Sequence, residues 1–179
     1  GYFQSERYFS AIAAELRVEL APKRMPSETY QRMEHTIRVA GPASASLHVR
    51  RGDYASDPKV LAVHGLLNAD YYCPALALLR TRVPGVHLFV FTDDPAAASA
   101  LLPADMPATM VSGRGLSDVD ELALMSTCRH HVIANSSYSW WGAWLGSPEG
   151  LTIAPRRWFA RPSEAAIRDR FPAHWHVVG

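Results

Sequence analysis

The chain has 179 residues, of which 48% are hydrophobic and 20% charged, and its formal net charge is +1. This length is enough to bury a sizeable core in one domain. The balanced charge argues against broad binding to nucleic acid or a membrane surface, so any functional basic group must be local. The two cysteines, Cys73 and Cys128, form no CxxC pair, so we expect reduced core residues and neither a disulfide nor a metal site.

The first half of the chain combines helical periodicity with one apolar strand. Apolar residues at helical spacing predict a helix from Ser5 to Leu20, and a second helix is predicted from Glu28 to Val39. A buried strand is predicted at Ala45 to Val49. Residues 51–68 are predicted to form a polar loop, and a helix over Ala69 to Arg82 follows it.

The second half alternates short apolar runs with helical segments. The predicted strands are Val86 to Phe91, Ala108 to Val111, His131 to Ala134 and Leu151 to Ala154. The predicted helices are Ala96 to Leu102, Asp118 to Cys128, Tyr138 to Leu145 and a C-terminal helix near Ser163 to Arg170. Five strands alternating with helices predict one α/β domain whose doubly wound parallel sheet is covered on both faces.

The segment from His48 to Tyr54 follows the first predicted strand and contains two adjacent arginines, Arg50 and Arg51. Ligands bind at the carboxyl ends of the strands in an open α/β sheet. The fork of a guanidinium group matches a diphosphate, so this segment is a candidate anion clamp. The alternative is a surface turn in which the arginines form salt bridges.

Two further acidic motifs start predicted helices. Thr92 and Asp93, with Asp94, are candidates either for the polar wall of a ligand cleft or for a helix cap. Asp118-x-Asp120 has the pattern with which two carboxylates hold a divalent ion against phosphates. The alternative is a capping box, either Ser117 with Asp120 or Asp118 with Glu121.

The segment from Asn135 to Tyr138 lies at a third junction between a strand and a helix. Ser136 and Ser137 can cap the helix, whose free N–H groups and positive dipole suit a phosphate. The adjacent Trp140 and Trp141 either pack in the core or form a sugar-binding platform. Since three strand ends meet at one edge of the sheet, we expect a nucleotide-diphosphate ligand that requires no metal.

These motifs together resemble the family 11 glycosyltransferases, the α-1,2-fucosyltransferases. The similarity covers nearly the whole chain in order, through the segments Gly1 to Phe9, His48 to Tyr54, Phe91 to Asp94, Glu121 to Ser126, Ala134 to Leu145 and Ala154 to Phe159. It implies a GT-B architecture of two Rossmann-like halves with the active site between them. Residues 1–42 are then a helical connecting segment, and residues 43–179 are the Rossmann-like GDP-fucose-binding domain.

The resemblance implies inverting transfer of L-fucose from GDP-β-L-fucose to the 2-hydroxyl of a galactose-terminated glycan, without a metal. The N-terminal acceptor half is expected to be missing from this chain. A non-catalytic GDP-sugar-binding module, or a truncated and inactive fragment, therefore stays open as the alternative. From the residues, Asp53 is the candidate general base with Asp57 behind it, and the other candidate is a base from the missing half.

The resemblance also implies roles for individual residues. Arg50 holds the β-phosphate, His48 helps to seat the nucleotide, and Glu121 contacts guanine. Aspartate is common at that last position, so Asp120 is an alternative to Glu121. The serine-rich segment contacts phosphate and fucose, and the complete candidate set for the donor is His48, Arg50, Arg51, Thr92, Asp93, Asp120, Glu121, Asn135, Ser136, Ser137 and Tyr138.

The expected setting is a bacterial cytoplasmic enzyme that builds surface polysaccharide. This expectation comes from a composition rich in Ala and Arg and from the lack of an apolar run of membrane-spanning length. Peripheral association with the inner membrane is left open, and so is the oligomeric state.

Overall fold

The computed structural model describes residues 3–21, 27–161 and 169–179. Within these residues, six strands form one sheet in the order β3-β2-β1-β4-β5-β6, and every neighbouring pair is parallel. The strands are β1 Ser44–Val49, β2 His87–Thr92, β3 Ala108–Met110, β4 His130–Val132, β5 Thr152–Pro155 and β6 His176–Val178. The predicted doubly wound parallel sheet is confirmed, and its strand order is the Rossmann one.

Helices cover both faces of this sheet. They are α1 Ala13–Glu19, α2 Glu28–Ala40, α3 Gly52–Ser56, α4 Pro58–His64, α5 Ala69–Arg82, α6 Pro95–Leu101, α7 Asp118–Thr127 and α8 Ser137–Leu145. The predictions for α2, α5, α6, α7 and α8 are confirmed to within one or two residues. None of the helices in the described ranges combines the length and the apolar character of a membrane span.

Strand β2 shows why helices are needed on both faces. Leu88 and Val90 belong to one buried cluster, which includes the inward side of α5. Phe89 and Phe91 belong to another cluster, which includes residues of α2 and α7. Successive side chains of a strand point to opposite faces, so an apolar run such as this one is stable only between two covering layers.

The order of the strands reverses beside β1, which pairs with β2 on one side and with β4 on the other. In a doubly wound sheet this switch point opens a crevice at the carboxyl ends of the strands, because the flanking connections run to opposite faces. The segments that follow β1, β2 and β4 are therefore brought to one edge. The ends of these three strands and the segments after them contain the predicted site residues, except Asp120 and Glu121, which lie on α7 after β3.

The predicted first helix is only partly correct. Residues Glu6–Tyr8 and Ser10–Ile12 form 3-10 turns, and the α-helix begins at Ala13. Phe9 packs against the tryptophans of α8, whereas Tyr8 and Ile12 stay exposed. The first half of the segment therefore has no continuous apolar face along which a single helix could pack.

The predicted loop over residues 51–68 is wrong, because this segment contains α3 and α4. The side chain of Asp57 accepts a hydrogen bond from the Lys59 N–H at 2.8 Å, and Pro58 is the first residue of α4. An N-capping aspartate followed by proline favours the start of a helix. This signal was present in the sequence.

The remaining predictions about the fold have mixed outcomes. A sixth strand, β6, was missed because its three residues are too short to show a pattern. The predicted C-terminal helix falls mainly on residues 162–168, outside the described residues. Cys128 is buried as predicted, but Cys73 is exposed on α5, so its prediction as a core residue is wrong. The boundary between residues 42 and 43 stays a prediction.

Candidate active site

A cleft of about 910 Å³ opens at the carboxyl edge of the sheet. Segments that follow β1, β2, β3 and β4 contribute to its walls, as expected for a switch point. Most of the predicted site residues line it, namely His48, Arg50, Asp53, Thr92, Asp93, Glu121, Asn135, Ser136, Ser137 and Tyr138. The side chains of Arg51 and Asp120 are not part of the lining.

Arg50 supplies a guanidinium group to this cleft and pairs with two carboxylates. Its Nη2 lies 2.7 Å from Asp53 Oδ1, and its Nη1 lies 3.0 Å from Asp93 Oδ2. The guanidinium also lies 5.7 Å from the centre of the Tyr54 ring. The salt-bridged turn is therefore confirmed, and Arg50 also lines the cleft, while its role as an anion clamp stays a prediction.

Asp93 ties the end of β2 to the loop after β1. Its second carboxylate oxygen accepts a hydrogen bond from the Arg51 N–H at 2.7 Å, so Arg51 contributes its backbone to this contact. Gly52 permits the close approach, because a Cβ atom at that position would lie 2.5 Å from Asp93 Oδ2. Asp93 is 26% exposed and held at both oxygens, whereas Asp53 is 50% exposed and pairs through one oxygen.

The two aspartates after β2 have different roles. Asp94 Oδ1 accepts from the Ala97 N–H at 3.0 Å and caps α6, while the Thr92 hydroxyl accepts from the Asp94 N–H at 3.0 Å. The helix-cap interpretation is thus confirmed for Asp94. Asp93 is left to face the cleft.

His48 is buried at the end of β1. Its backbone carbonyl accepts a hydrogen bond from the Tyr72 hydroxyl at 3.1 Å, and its ring lies 5.6 Å from that of Tyr138. Burial lowers the pKa of His48 to about 4, even though Asp93 acts in the opposite direction. His48 is therefore neutral at pH 7, and its Nδ1 has no hydrogen-bond partner within the described part of the chain. Arg50 carries the positive charge here.

Asn135 joins the end of β4 to the opposite wall of the cleft. Its amide nitrogen donates to the backbone carbonyls of His64 at 2.9 Å and Trp158 at 3.3 Å. The backbone carbonyl of Asn135 accepts a hydrogen bond from the Tyr54 hydroxyl at 3.2 Å. Both amide hydrogens therefore support an aromatic wall, in which Tyr54 and His64 stack at 4.8 Å. No motif in the sequence predicts this aromatic wall.

The start of α8 presents backbone N–H groups at the cleft. Ser136 is the N-cap residue, but its hydroxyl makes no capping hydrogen bond. The Tyr138 hydroxyl donates to the Asp118 carbonyl at 2.6 Å, and burial raises its pKa. Trp140 is buried in the core, and Trp141 stacks on Phe9 at 5.2 Å, so the core interpretation of this pair is confirmed.

Glu121 faces the cleft and Asp120 does not. Asp120 Oδ2 accepts from the Ser117 N–H at 3.1 Å and from its hydroxyl at 2.8 Å, which confirms the Ser117–Asp120 capping box. Glu121 Oε2 accepts from the Ser112 hydroxyl at 2.6 Å. Burial raises the pKa of Glu121, and this hydrogen bond lowers it. Ser112 was missed, although it follows the predicted third strand just as the other site segments follow theirs.

Two remaining predictions concern Asp57 and a metal site. Asp57 caps α4 and does not line the cleft. Among residues 3–21, 27–161 and 169–179, no group of three or more His, Cys, Asp or Glu side chains is placed to hold a metal ion.

The chain is similar to known glycosyltransferases. The family model described as glycosyl transferase family 11 matches residues 1–178. An alpha-1,2-colitosyltransferase of Escherichia coli is 36% identical over 98% of this chain and 60% of its own length. The O-antigen biosynthesis glycosyltransferase WbnK of Escherichia coli is 38% identical over 69% of this chain and 42% of its own length.

A more distant relative is the galactoside 2-alpha-L-fucosyltransferase SEC1 of Bos taurus, which is 25% identical over 86% of this chain and 43% of its own length. The chain thus spans between 42% and 60% of the length of these curated relatives. No solved structure matches. The family match covers almost every residue and agrees with the parallel α/β sheet, so the chain belongs to glycosyl transferase family 11.

Proposed function

We propose that this chain binds GDP-β-L-fucose and that the protein transfers the sugar, with inversion, to the 2-hydroxyl of a galactoside. The position of Arg50 carries the proposal. It is a guanidinium at the end of the central strand, inside a cleft that is also lined by the start of α8. A paired guanidinium and a helix N-terminus are two of the commonest means of binding phosphate in proteins.

To bind the diphosphate of the donor, the Arg50 guanidinium must release one of its two carboxylate partners. Asp53 is the partner that can be displaced. Its contact is single and half-exposed, so the pair contributes little stability. Asp93 is held by two contacts and keeps the guanidinium oriented. In this proposal the β-phosphate replaces Asp53 at Nη2, while Asp93 stays in place.

The same groups then act on the leaving group. As the bond between fucose and GDP breaks, negative charge grows on the β-phosphate and the sugar becomes oxocarbenium-like. Arg50 and the first N–H groups of α8 would stabilise that charge more in the transition state than in the ground state. The family resemblance implies transfer without a metal, and the proposal includes none.

Asp53 is the proposed general base. In an inverting transfer the acceptor hydroxyl attacks the face of the sugar opposite the leaving phosphate. The proposal therefore requires the displaced Asp53 carboxylate to turn away from Arg50 and reach that face, where it accepts the proton of the hydroxyl. A base from another part of the protein is the competing candidate. Guanine recognition is assigned to Glu121, in agreement with its place in the cleft lining.

Colitose is a second candidate for the transferred sugar, because one relative matching 98% of the chain is a colitosyltransferase. Colitose is the 3-deoxy form of L-fucose, so both donors share the GDP group and differ at one hydroxyl. The contacts described above act on the diphosphate and the base. They support either donor equally.

The decisive test combines binding with transfer. We expect calorimetric titration to show that the chain prefers GDP to UDP, and a protein with the donor site intact to transfer fucose or colitose to a β-galactoside. Arg50→Ala should weaken GDP binding by about 100-fold, the loss of strong charge-assisted hydrogen bonds. The matched control is Arg80→Ala, which breaks an exposed 2.6 Å pair with Asp105 elsewhere. Full transfer activity in Arg50→Ala would overturn the phosphate clamp.

The remaining alternatives have distinct outcomes. GDP binding without any transfer, even with the rest of the protein present, would favour a GDP-sugar-binding module. Loss of transfer in the presence of a chelator would favour the metal hypothesis for Asp118 and Asp120. We expect the chelator to leave transfer unchanged.

A further inference from the structure

Ser112 occupies a junction between three elements of the cleft. It lies two residues beyond the end of β3 and is buried. Its Oγ accepts a hydrogen bond from the backbone N–H of Thr92, at the end of β2, at 2.9 Å. Its hydroxyl donates to Glu121 Oε2, on α7, at 2.6 Å.

This geometry fixes the direction of the hydroxyl proton. A serine hydroxyl has one proton and two lone pairs, and the Thr92 N–H already occupies one lone pair. The proton is therefore available to Glu121, and the short distance indicates a charge-assisted hydrogen bond. Ser112 thus holds one oxygen of a half-buried carboxylate at a defined position on the cleft wall.

We propose that Ser112 is a positioning residue for nucleobase specificity, because it holds the Glu121 carboxylate where it can accept two N–H groups of a guanine. This inference rests on the proposed function, in which Glu121 contacts the base. Guanine presents N1–H and the 2-amino group side by side. Hypoxanthine lacks the 2-amino group, and adenine and uracil have no such pair of donors on that edge. The orientation of the carboxylate therefore decides the preference.

The hydrogen bond from Ser112 to Glu121 can also be followed through the pH dependence of nucleotide binding, because it affects the pKa of Glu121. Asp118 and Asp120 lie on its own helix, and Tyr138 faces it from α8. Burial and the two aspartates raise the pKa of Glu121, and within the described residues the hydrogen bond from Ser112 opposes them. Removal of this bond would raise the pKa further, so that the carboxylate protonates, and stops accepting both N–H groups, at a higher pH.

The experiment compares GDP with IDP, which carries hypoxanthine and the same diphosphate. We expect the wild-type chain to prefer GDP by about 10-fold, since one unpaired polar group costs about this much in affinity. Ser112→Ala should reduce this preference to about twofold, mainly through weaker GDP binding. The matched control is Ser46→Ala, which removes another buried serine hydroxyl, bonded to His131 Nδ1 at 2.8 Å and outside the cleft. It should keep the preference.

Three further measurements separate positioning from a general structural role. The ratio of GDP to IDP affinity, followed against pH, should collapse at a higher pH in Ser112→Ala than in the wild type; the titration of the shared diphosphate cancels in this ratio. Ser112→Thr, which restores a hydroxyl, should recover the preference. Glu121→Gln should lower it, and adding Ser112→Ala to that variant should change little more.

The inference is overturned if Ser112→Ala weakens GDP and IDP binding in equal proportion, or leaves the ratio unchanged at every pH. If Arg50→Ala abolishes GDP-selective binding while Ser112 substitutions have no effect, only the role of Ser112 fails. If the wild-type chain shows no preference for GDP over UDP, the proposed function itself fails.

Discussion

An arginine, a histidine and a cavity occur at each edge of the sheet, but their hydrogen bonding differs. At the amino edge, Arg129 donates to Ser147 Oγ and Glu149 Oε2, each at 2.9 Å. His130 there contacts the Pro42 carbonyl through Nε2 and accepts from the Leu151 N–H through Nδ1. The cavity beside these residues has a volume of about 430 Å³. Its polar groups join one segment of the chain to another.

At the carboxyl edge the hydrogen bonding of the corresponding groups within the protein is less complete. His48 Nδ1 has no partner in the described ranges, and the Ser136 hydroxyl does not cap its helix. One of the two carboxylates on Arg50 is half-exposed. Buried polar groups are normally satisfied by the protein, so the unpartnered His48 Nδ1, in the lining of a cleft of about 910 Å³ that also contains the Arg50 guanidinium, indicates a ligand. Charge alone does not make the difference, since each edge has its arginine.

The dependence of stability on pH should change most, through two buried histidines, one at the cleft and one in the interior of the sheet. Burial lowers the pKa of His48 to about 4 and that of His131, in the interior, to about 3. The unfolded chain binds protons below about pH 6.5 and the native state does not, so stability is lost as the pH falls. By pH 5 each histidine should cost about 2 kcal/mol.

Chemical denaturation between pH 6.5 and 5 measures this effect, because most carboxylates stay ionised in that range. His48→Gln and His131→Gln should each flatten the dependence. An unfolding free energy that stays constant across this range would contradict the assignment of both histidines as buried and neutral.

Two glycines provide a sharper test of the comparison. A Cβ atom at Gly150, at the amino edge, would collide with the backbone carbonyl of Arg129, so Gly150→Ala should lower the unfolding free energy by about 3 kcal/mol. Its folded fraction should bind GDP normally.

Gly52→Ala should lower the unfolding free energy by only about 1 kcal/mol, because a side-chain carboxylate can shift. The variant should nevertheless weaken GDP binding about 10-fold or more, because it displaces Asp93. Melting curves and GDP titration give both quantities, and the same pattern from both variants would contradict the account.

The smallest change in GDP affinity is expected for Asp53, the partner that the phosphate displaces. Asp53→Asn removes a competitor for Arg50, so GDP affinity should rise about threefold, the scale of an exposed ion pair. Transfer should nevertheless fall by about 100-fold or more if Asp53 is the base. Glu149→Gln, which weakens the ion pair of Arg129, should change neither quantity. A fall in GDP affinity in Asp53→Asn would show that Asp53 supports the clamp.

The sequence was sufficient to predict the sheet and most of the cleft. Apolar runs alternating with helices fix a parallel α/β sheet, and the carboxyl ends of its strands must share an edge. That rule was enough to bring His48, Asp93 and Ser136 together, although they lie far apart in the chain. It applied equally to Ser112, which was overlooked because a single serine after a short strand forms no motif.

The sequence alone does not show which of two neighbouring acidic residues faces the cleft and which one caps a helix. Asp93 and Asp94 both follow β2, and only the three-dimensional position of the Arg51 N–H decides which of them faces the cleft. Asp120 and Glu121 differ in the same way, because the capping box takes the first and leaves the second. The aromatic wall around Tyr54 depends on α3 and α4, which were predicted as a loop.

The central claim is that the carboxyl edge is the nucleotide site and the amino edge is structural. It is tested most directly by GDP titration of the wild-type chain, Arg50→Ala and Arg129→Ala under identical conditions. We predict that Arg129→Ala binds GDP within about threefold of the wild type and that Arg50→Ala binds it about 100-fold more weakly. GDP binding that survives in Arg50→Ala and is lost in Arg129→Ala would contradict the account.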